Sequence, residues 1–275
     1  MHALKWMAGA LMALALTAAG AAPLRIGVTP GAYADSIQAA AKEAKKQGLD
    51  VEVVEFSDWT TPNLALASKD LDANYFQNQA FLDNAVKERG YAFQTVGIGI
   101  LPNIGLYSAR YKRFEDLPKG ARVAIASDPV NQGRGLLLLQ KAGLLKLRDG
   151  VGAKAGLADI AENLKKLQFT EVEGPQLVRV INDVDLSQGY PHFIVAAGTF
   201  DPDSALLFSG IEDKQFALRF VARKDNAADP RLKQFVDIYQ QSASVRARIA
   251  KSYANNAKLY SLAWLSQLSP EQTGR

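Results

Sequence analysis

The 275 residues include no cysteine, so disulfides, thiolate metal sites and cysteine nucleophiles are all excluded. Histidine is nearly as scarce, with only His2 and His192. There is no Gly-x-Ser-x-Gly elbow, no metal-ligand spacing, no internal repeat and no low-complexity tract. A stripe of one charge sign is also missing. The 32 Lys and Arg against 28 Asp and Glu give +4, and the basic residues are scattered, densest at Lys45-Lys46 and Lys165-Lys166. That pattern is a solvated surface and not a nucleic-acid interface. What remains is an ordinary globular composition, 48% hydrophobic and 22% charged, at a length suited to one large domain or two lobes.

The apolar run at the N-terminus bears on compartment. Residues 1–5 carry Lys5, residues 7–16 are Ala/Leu-rich, and Ala19-Gly20-Ala21 fits a small-x-small cleavage pattern before Ala22-Pro23. Residues 1–21 are therefore expected to be a cleaved secretory signal, the run being marginal for an uncleaved anchor. With no cysteine behind it to take a lipid, the expected location is free in the periplasm. Removal of the signal leaves His192 as the one histidine, which excludes histidine-pair catalysis and multi-histidine metal sites.

The rest of the chain alternates strand and helix patterns. Residues 24–28 read as a strand ending in Thr29-Pro30-Gly31, and Asp35-Ser36 can cap a helix running to Gln47-Gly48. A strand at 51–56 completes a βαβ unit and hence a parallel sheet. Thr61-Pro62 opens another helix, 71–76 is strand-like, a helical face of Phe81, Leu82, Ala85 and Val86 follows, and 93–96 is a strand. Residues 97–108 are apolar, without helical period and broken by Gly99, Pro102 and Gly105, as expected of an extended crossing between lobes. Beyond it the pattern predicts a strand at 122–125, helices at 157–163 and 176–182, and strands at 167–172 and 193–197. A strand at 216–222 reads as a second crossing, and helices start at Pro230 and about Ser244.

The most informative stretch is 127–139. Asp128-Pro129 ends a strand, a polar run leads to Gly133, and an apolar helix interior begins at Gly135, which puts Arg134 in the first helical turn. A guanidinium there, beside free backbone N–H groups, is a receptor for a carboxylate or other small anion. The alternative is an ordinary arginine paired with a neighbouring acid on a solvated face.

Five motifs are more specific: Asp72-Ala73-Asn74-Tyr75-Phe76-Gln77, Gly105-Leu106-Tyr107-Ser108, Leu117-Pro118-Lys119-Gly120-Ala121, Asp128-Pro129 with Asn131-x-Gly133-Arg134, and Pro175-Gln176-Leu177 with Arg179. Together, and in order over nearly the whole exported chain, they resemble the methionine-binding NlpA lipoprotein family, the substrate-binding components of ABC importers. The resemblance implies an α/β fold of periplasmic-binding-protein type II, with two βα lobes joined by two extended crossings and a ligand in the cleft between them. The expected boundaries are 22–107 and 221–268 for lobe 1, 108–220 for lobe 2, and a frayed tail at 269–275.

By position, the resemblance implies that Arg134 and Asn131 hold the ligand's carboxylate and neighbouring polar atoms, and that Phe76 forms an aromatic wall. Around them the sequence departs from the family. Asn78 stands for a His, Ala80 for a Pro, Phe81 for a Tyr, Trp59 for a usual Tyr and Leu218 for an Asn, and another family Asn falls at Tyr190 or His192. The anion anchor is thus kept while groups that would meet an α-amino group or line a thioether pocket are changed. The implied partners are a small-molecule ligand and an ABC permease in the inner membrane, with the protein a monomer that uses no metal, cofactor or catalytic residue. The competing class is a secreted enzyme on a binding-protein-like scaffold, for which no nucleophile-and-base set is evident.

Overall fold

The computed structural model describes residues 22–265; the expected signal at 1–21 and the tail at 269–275 lie outside the described residues. The first half runs β1 (Leu24–Val28), α1 (Ala32–Lys46), β2 (Val51–Glu55), α2 (Thr61–Ala67), β3 (Ala73–Tyr75), α3 (Gln79–Arg89) and β4 (Phe93–Ile98). After β5 (Leu101–Pro102) comes a second set: β6 (Gly105–Tyr107), β7 (Arg122–Ala126), α4 (Pro129–Lys141), β8 (Lys146–Leu147), β9 (Ile160–Glu162), β10 (Gln168–Val172), α5 (Leu177–Val180), β11 (Leu186–Gly189), α6 (Pro191–Ala197) and β12 (Leu207–Phe208). The chain then returns through β13 (Arg219–Arg223), α7 (Pro230–Gln241), α8 (Ala243–Ser252) and β14 (Tyr260–Ser261).

Two five-stranded sheets result, ordered β2-β1-β3-β13-β4 and β10-β7-β11-β6-β12. Three neighbouring strands are parallel in each, and the fourth strand of each order runs antiparallel to its neighbours. The two halves therefore share one topology although the sequence carries no repeat. Each sheet has its own core. Ile26, Ile37, Phe220, Phe235, Ile249 and Trp264 build the first, and Leu106, Val123, Ile125, Leu136, Leu139 and Leu186 the second.

The halves meet where three chain segments run side by side. Gly99 N–H donates to Leu218 O and Leu218 N–H to Ile100 O, both at 2.8 Å, while β14 pairs with β5 and Asn103 N–H reaches Leu259 O. Strand 105–107 pairs in the second sheet and 219–223 in the first, so by sheet membership the crossings fall at 99–104 and 209–218. Only 216–218 of the expected 216–222 strand thus lie in the second crossing, and 219–222 belong to the first sheet.

Several local expectations are corrected. Helix α1 begins at Ala32, with Gly31 at φ 84° as its cap, because Asp35 is occupied by Arg248 and Ser252 and not by the helix end. Residues 193–197 are helical: Pro191 fixes the first turn of α6, and Gly198, at φ 62°, closes it through its N–H on Ile194 O. A short apolar run does not distinguish strand from helix. The missing strand is β11, whose polar Ser187 and Gln188 are buried, which hides it from a search for alternating hydrophobicity. At 157–163 a short 3-10 turn gives way to β9, held by pairing with β8.

Tyr75 joins the first core to the crossing. Its hydroxyl contacts Tyr239 Oη at 2.7 Å and accepts the buried Ile100 N–H at 3.0 Å, and Tyr239 passes the chain on to Ser36. Tyr75→Phe should strand that N–H and cost about 1–3 kcal/mol of unfolding free energy, read by urea denaturation. An unchanged midpoint would show that the network contributes nothing.

Candidate functional site

The residues singled out in the sequence approach one another from both halves. Trp59 leaves the turn between β2 and α2, Phe76 follows β3, Asn78 caps α3, and Phe81 lies in its first turn. From the second half come Asn131 and Arg134 on α4, and Tyr190 and His192 at the start of α6. Trp59 stands edge-on to Phe81 at 6.4 Å and to Tyr190 at 5.6 Å between ring centroids, Phe76 lies 5.8 Å from Phe81, and Tyr190 lies 6.0 Å from His192. An aromatic cluster thus bridges the halves.

Arg134 differs from its expected setting. Asp128 caps α4 by accepting Asn131 N–H at 2.9 Å, and the helix starts at Pro129, which makes Arg134 an interior residue and not a first-turn one. The polar run 131–133 is helical, favoured by Pro129 at its first position, so free N–H groups are not its neighbours. The guanidinium is buried, 3% exposed, with Nη2 donating to Pro102 O at 2.8 Å and to Ser209 Oγ at 3.4 Å, and Cζ 4.8 Å over the Phe216 ring. Its Nε has no partner, and no carboxylate among the described residues lies within 4.0 Å of it. Burial alone lowers its pKa, with only the more distant Tyr190, Asp213, Tyr33 and Tyr253 opposing.

Asn131 sits one turn before Arg134 with its Nδ2 against both oxygens of Asp128 at 3.1 Å, so one of its donors is already used. Asn78 likewise spends its Oδ1 on Phe81 N–H as a helix cap, and its backbone bridges Leu218. Gln188, which the sequence did not flag, organises the second half of the site: its amide donates to Asn131 O and Tyr190 Oη and accepts Ala126 N–H.

Other residues were also missed. Tyr33, from the first turn of α1, stacks on His192 at 4.3 Å, and Tyr253, after α8, lies 6.3 Å from it. Thr29 Oγ1, Tyr253 Oη and both His192 ring nitrogens are buried without hydrogen-bond partners. Arg134 acts electrostatically on Tyr33, Tyr190, Tyr253 and His192 alike. Unpaired buried polar atoms are rare in proteins and cluster where a ligand or water would satisfy them. A separate groove of 450 Å³ lies against Trp59, Asn63, Phe81, Glu88 and Arg89, draws its walls from the first half only and excludes Arg134.

Two α/β halves of matched topology, linked by adjacent crossings, are the fold of a periplasmic substrate-binding protein. A substrate-binding protein of an ABC transporter from Coxiella burnetii superposes with a TM-score of 0.79 at 36% identity, over 84% of this chain and 97% of that one. The chain belongs to the NlpA lipoprotein family, whose sequence pattern matches residues 24–260. The D-methionine-binding lipoprotein MetQ of Escherichia coli (strain K12) is 40% identical over 221 residues, which cover 79% of this chain and 81% of MetQ. A nutrient binding protein from Burkholderia cenocepacia, bound to methionine, superposes with a TM-score of 0.80 at 39% identity, over 84% of this chain and 97% of that one.

Burial lowers the His192 pKa from 6.5 to about 3, with Arg134 adding to the effect. The unfolded chain therefore binds the extra proton first, so stability present above pH 6.5 is lost as pH falls toward 3. Between pH 7 and pH 5 the wild type should lose about 2 kcal/mol more than His192→Phe, a difference that cancels the other titrating groups. Chemical denaturation at the two pH values checks this, and parallel losses would place His192 in solvent.

Proposed function

We propose that this protein is the substrate-binding component of an ABC importer. It captures a small carboxylate-bearing ligand, a methionine-like amino acid or a related anion, in the cleft between its halves and hands it to a permease in the inner membrane. The observation that carries the reading is Arg134, a buried cation with a free Nε and no carboxylate beside it. Such a charge is costly to desolvate, and an anionic ligand would offset that cost through a charge-assisted hydrogen bond. Trp59, Phe76, Phe81 and Tyr190 would supply the walls, with His192 and Tyr253 as neutral polar contacts. Asn131 and Asn78 would act through the helix ends they hold. The relatives named for methionine suggest the ligand's class. Leu218, 3% exposed, with an apolar side chain and its backbone N–H and carbonyl spent on Ile100 and Gly99, would offer the ligand's amino group nothing. The relatives' names include lipoprotein, but this sequence has no thiol for a lipid, and we infer that the exported chain acts as a free periplasmic monomer without cofactor.

Mass spectrometry of what the purified protein releases on denaturation identifies the ligand, and calorimetry then measures it. Arg134→Ala should weaken binding by about 2–5 kcal/mol, some 30-fold to several thousandfold. Arg134→Lys, which keeps the charge but not the planar fork, should lose much of the same affinity. L-Methionine and its desamino analogue should bind within about tenfold of each other, and the methyl ester should not bind measurably. Wild-type affinity in Arg134→Ala would end the anchor role.

A further inference from the structure

Trp59 and Gly174 occupy corresponding places in the two halves. Trp59 follows β2 and Gly174 follows β10, and these are the edge strands of their sheets on the side away from the crossings. Across the gap, the outer edge of the indole six-membered ring lies directly on Gly174. A methyl group built on that glycine would stand 3.0 Å from Cζ2 and would overlap Cη2 and Cζ3 outright. Gly174 is buried, and its backbone is outside the left-handed region, so the space and not the conformation requires glycine. Tyr190 and Phe193 of the second half flank the same ring, Phe193 stacking at 6.5 Å.

We propose that Gly174 is a positioning residue for ligand capture: it is the socket into which Trp59 docks when the halves close. The ring edge that fills the socket is the part of tryptophan that a smaller aromatic side chain lacks, so residues 59 and 174 form one size-matched unit. Their place opposite the crossings gives the contact leverage. Four strand spacings separate β2 from β4, about 19 Å. Ordinary carbon contact is about 3.5–4.0 Å, so with the indole held among Phe81, Tyr190 and Phe193 a methyl at 174 parts the loops by about 1.5 Å. Over that arm the halves open by about 5°, and the seal over the site is lost.

The docking can be tested without ligand, because the chain has no cysteine of its own. Thr60→Cys with Glu173→Cys places one exposed thiol beside each partner, and a short bis-maleimide reports how often the loops meet. Gly174→Ala in this background should slow cross-linking about tenfold or more, as an overpacked contact does. Adding Trp59→Phe, which withdraws the ring edge, should restore the rate to that of Trp59→Phe alone. Cross-linking that is absent from the parent pair, unaffected by Gly174→Ala, or not rescued by Trp59→Phe would overturn the proposal. The consequence for affinity rests on the ligand-capture reading. A cycle that behaves as expected in a protein with no carboxylate ligand would leave the docking intact and remove that reading.

Discussion

A positive charge buried at the junction of the two halves is the constraint on which the site depends. Arg134 projects from the interior of α4 and makes its two hydrogen bonds to groups on different crossings, Pro102 on the first and Ser209 on the second. Phe216, also on the second crossing, lies under the guanidinium. These neutral contacts compensate only part of the desolvation that pushes its pKa down. The remainder favours whatever brings a negative charge to Nε. Because the same side chain holds both crossings, the proposed anion would act on the segments that join the halves.

The shared topology explains why so many aromatic and polar groups converge there. In each sheet the parallel strands end toward the other half, and the turns that follow them carry Thr29, Trp59 and Phe76 in one half and Asp128, Gly174 and Tyr190 in the other. Ligands of open α/β sheets bind beyond such strand ends. Here the convergence includes α1 and the segment after α8, which add Tyr33 and Tyr253 around His192.

Much of the fold was legible because its signals are local. The strand at 24–28, Thr61-Pro62 at a helix start and Pro230 at the first position of α7 are each set by a few adjacent residues. Errors arose where tertiary contacts decide. Ser187 and Gln188 are polar in sequence yet buried in β11, because Ser187 Oγ donates to Gln188 O and Asn131, Tyr190 and Ala126 supply partners for the Gln188 amide. Arg134 stands out in the sequence, but its neighbours Pro102, Ser209 and Phe216 are distant in the chain, so the sequence suggests a first-turn setting where the fold makes it a helix-interior one. Asn131 and Asn78 also serve their own helix ends, Asn131 through Asp128 and Asn78 by accepting Phe81 N–H. Tyr33 and Tyr253 carry no sequence signal, since only folding brings residues this far apart to His192.

A crystal structure of the protein saturated with the ligand it retains on purification tests the central claim most directly. The account predicts a carboxylate oxygen within hydrogen-bond distance of Arg134 Nε, inside the ring of Trp59, Tyr190 and His192. A ligand seated in the groove beside Glu88 and Arg89, with Arg134 Nε still unpartnered, would contradict it.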